Sequence, residues 1–226
     1  KINEDSERHG CFDNTKAYAV VCDGLGSHGG GDVASSIAAN VLSRFEKNSS
    51  IPSENDIFNL MEKANDEINT AREKEGEMKT TAVALYIDGR RAIWAHTGDS
   101  RLYHFHNGKL ADYTNDQSLC QLFVMQGMMT REEIPFSPDK NKVLSVLGTE
   151  SIRPDIHSEI RLKRGTHTFL LCTDGLWERL NEKEIAIDCA SFKNAEDLLS
   201  GLRSRADLRR TEEVDNNTAV TLIIEV

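Results

Sequence analysis

Three aspartates of this chain share one local setting. Asp23, Asp174 and Asp215 each stand at one end of a short apolar run, with glycine or asparagine immediately after. A carboxylate delivered by a buried strand cannot stay ionised in the interior unless it is paired or binds a cation. One such residue is ordinary. Three of them, in a chain with 37 acidic and 27 basic residues, point to strand ends that converge on a shared cation site. Carboxylates, a backbone carbonyl and water suit hard ions such as Mg²⁺ or Mn²⁺. No His or Cys cluster has the spacing of a zinc site. Two ions sharing a carboxylate can activate a water and brace a phosphoryl group, so metal-assisted phosphoester hydrolysis is the reaction class these residue types favour.

The first acid lies in the stretch that organises the chain. Residues 17–22 are apolar and end on Asp23, and five glycines follow within residues 24–31. From Asp32 a helical period begins, with Val33, Ile37, Val41 and Phe45 on one stripe and Ala34, Ala38 and Leu42 beside it. The order is strand, acid, glycines, helix. Gly24-Leu25-Gly26-Ser27-His28-Gly29 also matches the G-x-G-x-x-G dinucleotide fingerprint, so at this point a nucleotide cradle and an acid site both stand.

The elements that must position the acids decide against the cradle. A capping box at Ser53-Glu54-Asn55-Asp56 starts a second helix with Ile57, Leu60, Met61, Ala64 and Ile68 on one face. Two successive helices do not make a βαβ unit. Runs at 81–87 and 91–96 flank Asp88-Gly89, and runs at 101–106 and 109–113 flank Asn107-Gly108, which are strong hairpin signals for an antiparallel sheet. Between the hairpins lies Gly98-Asp99-Ser100-Arg101, by itself a turn. Residues 118–129 read as a helix with Leu119, Leu122 and Phe123 inward, a short helix starts at Thr130, and 135–142 reads as a mobile surface stretch. Alternation at Ile156, Ser158, Ile160 and Leu162 predicts a half-buried strand. The run 168–172 ends on Thr173-Asp174-Gly175, helices follow at 182–190 and 195–209, and Val214-Asp215-Asn216-Asn217 precedes a last strand at 218–224. The acidic pair Glu4-Asp5 reads locally as a solvated terminus.

At 226 residues the chain fits one domain, taken as 1–226. The formal charge of -10 argues against nucleic acid or an anionic membrane as main partner. No apolar run reaches the length of a membrane span, and there is no secretory-type leader. Five cysteines, odd in number and without C-x-x-C spacing, indicate neither a disulfide framework nor a zinc ribbon, and a reducing cytoplasm is the expected setting.

Taken in order, Asn3-Glu4-Asp5, Asp23-Gly24-Leu25-Gly26-Ser27-His28-Gly29, Gly98-Asp99-Ser100-Arg101, Thr173-Asp174-Gly175-Leu176-Trp177 and Asp215-Asn216-Asn217 resemble the motifs of the type 2C metal-dependent protein phosphatases, in their bacterial form. The stretch from Gln126 to Thr130 and residues 143–148 resemble the segment that separates those motifs. The resemblance implies an α+β fold, a four-layer α-β-β-α sandwich with two central antiparallel β-sheets. It implies hydrolysis of phosphoserine and phosphothreonine in proteins phosphorylated by a cognate kinase, by a monomer. It further implies that Asp23 bridges two Mn²⁺ or Mg²⁺ ions, with the Gly24 carbonyl on one and Asp174 and Asp215 on the other. Glu4 and Asp5 would act through water, and Asp99 with Asp174 would hold a third, weaker ion. A catalytically silent phosphoprotein-binding module of the same fold is the alternative. Three positions depart from the family pattern. Its phosphate-gripping arginine would stand before Lys1, Leu25 replaces a histidine proposed as general acid in animal members, and Ser145 stands where arginine is common. His28 is read as a loop histidine with a packing or hydrogen-bonding role, a general-acid role being the alternative.

Overall fold

The computed structural model describes residues 2–12, 15–26, 30–45, 50–75, 77–209 and 215–226. In chain order the elements are strands β1 (Asp5–Phe12) and β2 (Lys16–Leu25), helices α1 (Gly31–Leu42) and α2 (Glu54–Glu75), and strands β3 (Lys79–Thr80), β4 (Ala82–Asp88), β5 (Arg91–Thr97), β6 (Arg101–His106) and β7 (Lys109–Tyr113). Helix α3 (Leu119–Met125) and a 3₁₀ turn (Arg131–Phe136) follow, then β8 (Asp155–Ile156), β9 (Ile160–Arg161), β10 (Thr166–Cys172), α4 (Asp174–Trp177), α5 (Glu182–Ser191), α6 (Ala195–Asp207) and β11 (Ala219–Glu225).

The strands form two sheets, ordered β1-β2-β4-β5-β8, with β3 on β2 and β9 on β5, and β11-β10-β6-β7. Every strand pair is antiparallel. The parallel sheet that a dinucleotide fold requires is therefore not what these residues build.

Side-chain alternation explains why the sheets stack. On β2, Ala17, Ala19 and Val21 point to the inter-sheet core with Val83, Leu85, Trp94, Leu102, Phe169 and Leu171. Val20 and Cys22, on the opposite face, meet the apolar stripes of α1 and α2 through Ala38, Val41, Leu42, Ile57, Met61 and Ile68. The second sheet repeats the pattern, turning Tyr103, Phe105 and Leu170 outward to Ile185, Leu198 and Leu202 of α5 and α6. Three apolar layers between four structural layers are the expected α-β-β-α sandwich. All five cysteines are free, and four of them are buried within these cores.

Several local expectations change. Strand β1 was not expected, because Asp5-Ser6-Glu7-Arg8-His9-Gly10 has no apolar period; it is an edge strand that β2 recruits. The continuous strand expected across 156–162 is instead β8 and β9, both on β5. Between them the His157 amide still donates to the Trp94 carbonyl at 2.9 Å, while its ring stacks on Trp94 at 4.0 Å and bonds Asp112 of β7 at 2.9 Å. Helix α3 stops at Met125, short of 129, and buries Cys120 and Gln121 while Leu122 is 42% exposed. The stretch 135–142, expected to be mobile, begins inside the 3₁₀ turn, beside buried Ile134, and continues in hydrogen-bonded turns through Lys140 and Lys142.

Candidate functional site

The β1–β2 register sets the first half of the site, since it pairs Asp5 with Asp23 across the two strands. Past that pair the Gly24 amide donates to the Glu4 carbonyl at 3.1 Å. The Asp23 backbone is pinned from the other side. Its carbonyl accepts from the Thr81 amide at 2.9 Å and the Thr80 hydroxyl at 2.8 Å, and its amide donates to Thr81 Oγ1 at 3.1 Å. Gly24 is needed here for closeness: a Cβ would lie 2.2 Å from the Gly31 carbonyl oxygen and 2.5 Å from that of Glu4.

The second half comes from the other sheet. The ladder of β10 and β11 closes at Cys172 and Ala219, so the chain ends beyond it, carrying Asp174 and Asp215, emerge together. The Thr173 hydroxyl joins the halves. It accepts from the Thr218 amide at 3.1 Å and donates to Asp5 Oδ2 at 3.0 Å, a buried bond between residues 168 positions apart. Asn216 adds a second tie by accepting from the Glu4 amide at 3.0 Å. A Cβ on Gly175 would lie 1.8 Å from the Asn216 carbonyl oxygen, so only glycine lets the Asp174 turn lie against the Asp215 loop.

Asp99 arrives from the β5–β6 junction and is buried. Its carbonyl accepts from Trp177 Nε1 at 3.0 Å, and the Arg101 guanidinium lies 3.5 Å above the Trp177 ring. Arg101 is in turn held by two 2.7 Å bonds to Asp116, a bidentate pair sealed from solvent. Gln117 clamps the preceding glycine from both sides, its amide donating to the Gly98 carbonyl at 2.8 Å and its Oε1 accepting from the Gly98 amide at 3.2 Å.

The electrostatics are those of acids brought together with little counter-charge, the Arg101 guanidinium offsetting the rise at Asp99. Burial, then the charges of Asp174, Asp5, Asp99 and Asp215, push Asp23 well above the ordinary carboxylate range. Burial, then Asp215 and Glu178, raise Asp174 to about 7. Asp99 is raised by burial and then by Asp174, and Asp5 by burial and, against its hydrogen bonds, by Asp215. Asp5 Oδ1 and Asp174 Oδ1 are sealed from water and accept no hydrogen bond. Native proteins rarely leave such atoms orphaned. Mutual repulsion and orphaned oxygens are what a bound cation would relieve, so the donor set fits hard, oxygen-seeking ions. Among the described residues no three acidic, histidine or cysteine side chains close into a ready-made cage. The acids lie near enough to raise one another's pKa without closing round an ion, which suits ions that keep several waters.

Asp23, Asp174, Asp5 and Asp99 thus come together with Asp215, whose carboxylate Oδ1 accepts from the Asn216 amide at 2.8 Å. The Glu4 side chain sits over α1, its Oε1 2.7 Å from where a Gly31 Cβ would be. His28 lies outside the described residues. Ser145 bonds Thr97 at 2.9 Å. Residue reasoning gave no role to Thr173, Asn216, Trp177, Arg101 or Gln117, although four of them stand inside the motifs quoted. Their roles are contacts across the fold, and no local period reports those.

Residues 1–216 match the family model described as Protein phosphatase 2C. The chain is 31% identical over 215 residues to the serine/threonine phosphatase stp of Listeria welshimeri, covering 91% of this chain and 80% of that protein. Its fold is similar to the S. agalactiae serine/threonine phosphatase, with a TM-score of 0.82 at 26% identity, over 100% of this chain and 94% of the other. It is also similar in fold to the catalytic domain of the phosphatase PstP solved with two manganese ions, with a TM-score of 0.77 at 24% identity, over 100% and 92% of the two chains.

Proposed function

The chain belongs to the protein phosphatase 2C family and is a serine/threonine phosphatase, and from that premise we propose that the acidic site hydrolyses phosphoserine and phosphothreonine with two divalent cations, Mn²⁺ or Mg²⁺. Asp23, the Gly24 carbonyl, Asp174 and Asp215 would hold the two ions. Glu4 and Asp5 would act through water, and Asp99 with Asp174 would hold a third, weaker ion. When bound, the ions supply a water acidic enough to attack phosphorus at neutral pH, together with positive charge opposite the phosphoryl oxygens.

The chain's own residues supply position. Thr80 and Thr81 hold the Asp23 backbone, Thr173 aims Asp5, and Trp177 holds the loop of Asp99. With an external water as attacking group, no side-chain nucleophile is required. The observation that carries the reading is the pair of orphaned buried oxygens on Asp5 and Asp174 beside mutually repelling acids. The relative solved with two manganese ions supports the choice of metal.

The described residues act on this reading as one catalytic domain, monomeric and cytoplasmic, on proteins phosphorylated by a serine/threonine kinase. No helix among the described residues is long and apolar enough to cross a membrane. The test is hydrolysis of p-nitrophenyl phosphate, expected with added Mn²⁺ or Mg²⁺ and absent in EDTA. Full activity in EDTA would refute the metal site. Tight phosphopeptide binding without turnover would favour the silent binding module instead.

A further inference from the structure

Beside the acidic site lies a cleft of about 370 Å³ between α4, the start of α5 and the 3₁₀ turn. Its apolar lining comes from Trp177, Leu180, Pro135 and Phe136, the last 85% exposed at its rim. Its polar lining is unusual for this protein: five basic residues against three acidic ones, in a chain whose net charge is -10. Two of the acids are already neutralised, Glu182 by Arg131 and Glu178 by Lys140. Arg101 is matched to Asp116 and Arg209 to Glu184. Two cations, Arg179 and Lys183, are left with no carboxylate partner among the described residues, and the remaining acid, Glu132, is exposed.

The cleft adjoins the acids. Arg179 Nη2 lies 3.5 Å from the Asp215 carbonyl oxygen, and Trp177, which forms part of the wall, holds the Asp99 carbonyl. A polypeptide whose phosphorylated residue enters the acidic site can lie along this cleft. A site of clustered carboxylates repels an anionic peptide at longer range, and unpaired cations next to it offset that repulsion where the chain would lie.

We propose that this cleft is a subsite for a second anionic group on the substrate polypeptide, a carboxylate or a second phosphate a few residues from the one removed. Lys183 and Arg179 are its cations, and the Trp177, Pro135 and Phe136 surface carries the intervening chain. The inference rests on the phosphatase reading of the neighbouring site.

The experiment compares kcat/KM, with Mn²⁺, for phosphothreonine peptides that differ only in glutamine, glutamate or phosphoserine at each position up to four residues on either side. At one or more positions the wild type is expected to favour the anionic peptide about 3- to 10-fold over glutamine, the range of one or two partly exposed ion pairs. The ratio should shrink at 0.5 M salt. K183E should bring it to about one or below, and K183R should keep it. Because the readout is a ratio within each variant, a general loss of turnover cancels. Glutamate equal to phosphoserine assigns the subsite to carboxylates, and phosphoserine alone being favoured assigns it to phosphate. Equal rates for all peptides, or a preference unchanged in K183E, would overturn the proposal. Turnover of p-nitrophenyl phosphate in the same Mn²⁺ buffer reports the metal site separately, so an enzyme that hydrolyses it yet treats the peptides alike loses the subsite and keeps the phosphatase reading.

Discussion

Asp174→Asn offers the sharpest test of the cation argument, because it should stabilise the metal-free protein while destroying its function. The folded chain holds the Asp174 proton to about pH 7, whereas a free aspartate releases it near 3.8. Between those values the folded state binds more protons than the unfolded one, so this residue costs stability progressively as pH rises, with the full penalty above about 7. A shift of that size corresponds to a ceiling of about 4 kcal/mol. Asparagine removes the charge but still buries a polar amide, a cost of about 1–3 kcal/mol. The net gain at pH 8 in EDTA is then about 2 kcal/mol, or about 4–8 °C in Tm for a chain of this length. At pH 5 most of the penalty is already absent, and the two proteins should melt together or the variant slightly lower. Adding Mn²⁺ should reverse the order at pH 8, since only the wild type gains the full binding contribution. Differential scanning fluorimetry at the two pH values, with EDTA or Mn²⁺, reads all of this. If Asp174→Asn is destabilised by the same amount at pH 5 and pH 8 in EDTA, the orphaned oxygen is not the mark of a missing cation and the reasoning fails.

Other expectations follow from the residues that position the acids and from the second sheet. Thr173→Val strips Asp5 Oδ2 of its donor and the Thr218 amide of its acceptor; Mn²⁺ titration of activity should show affinity weakened by about 10-fold, with Thr173→Ser restoring it. Arg101→Ala leaves Asp116 buried and unpaired, and urea unfolding should show a loss of about 3–5 kcal/mol that Arg101→Lys only partly recovers, since an ammonium cannot reproduce the bidentate pair. Burial, then His167, lowers His104 to about 4, below the 6.5 of a free histidine, so its contribution is present above 6.5 and is lost as pH falls toward 4. Between pH 7 and pH 5 that loss is about 2 kcal/mol. The raised acids act with the opposite sign in the same window, so the urea midpoints of wild type and His104→Phe must be compared at both pH values. The difference between the proteins should change by that amount, and a constant difference would show that the ring does not titrate as its burial requires.

Much of this protein is readable from its own residues. The hairpins at Asp88-Gly89 and Asn107-Gly108, the stripes of α1 and α2, and the two-faced alternation of β2 are short-range features, encoded by periods of two and 3.6 residues and by turn chemistry. The acids Asp23, Asp174 and Asp215 were legible for the same reason, each being a charge placed at one end of an apolar run. What only the tertiary structure decided is how these ends meet. Asp5 looked like a solvated terminal residue until the β1–β2 register set it opposite Asp23. Thr173 is a small polar residue like many others until its hydroxyl crosses from one sheet to the other. Trp177 and Arg101 acquire their roles through packing of elements more than seventy residues apart. Local sequence determines which face a side chain presents. Which distant face it will meet is decided by burying three cores at once, and the electrostatic cost concentrated at Asp23 and Asp174 exists only after that burial is complete.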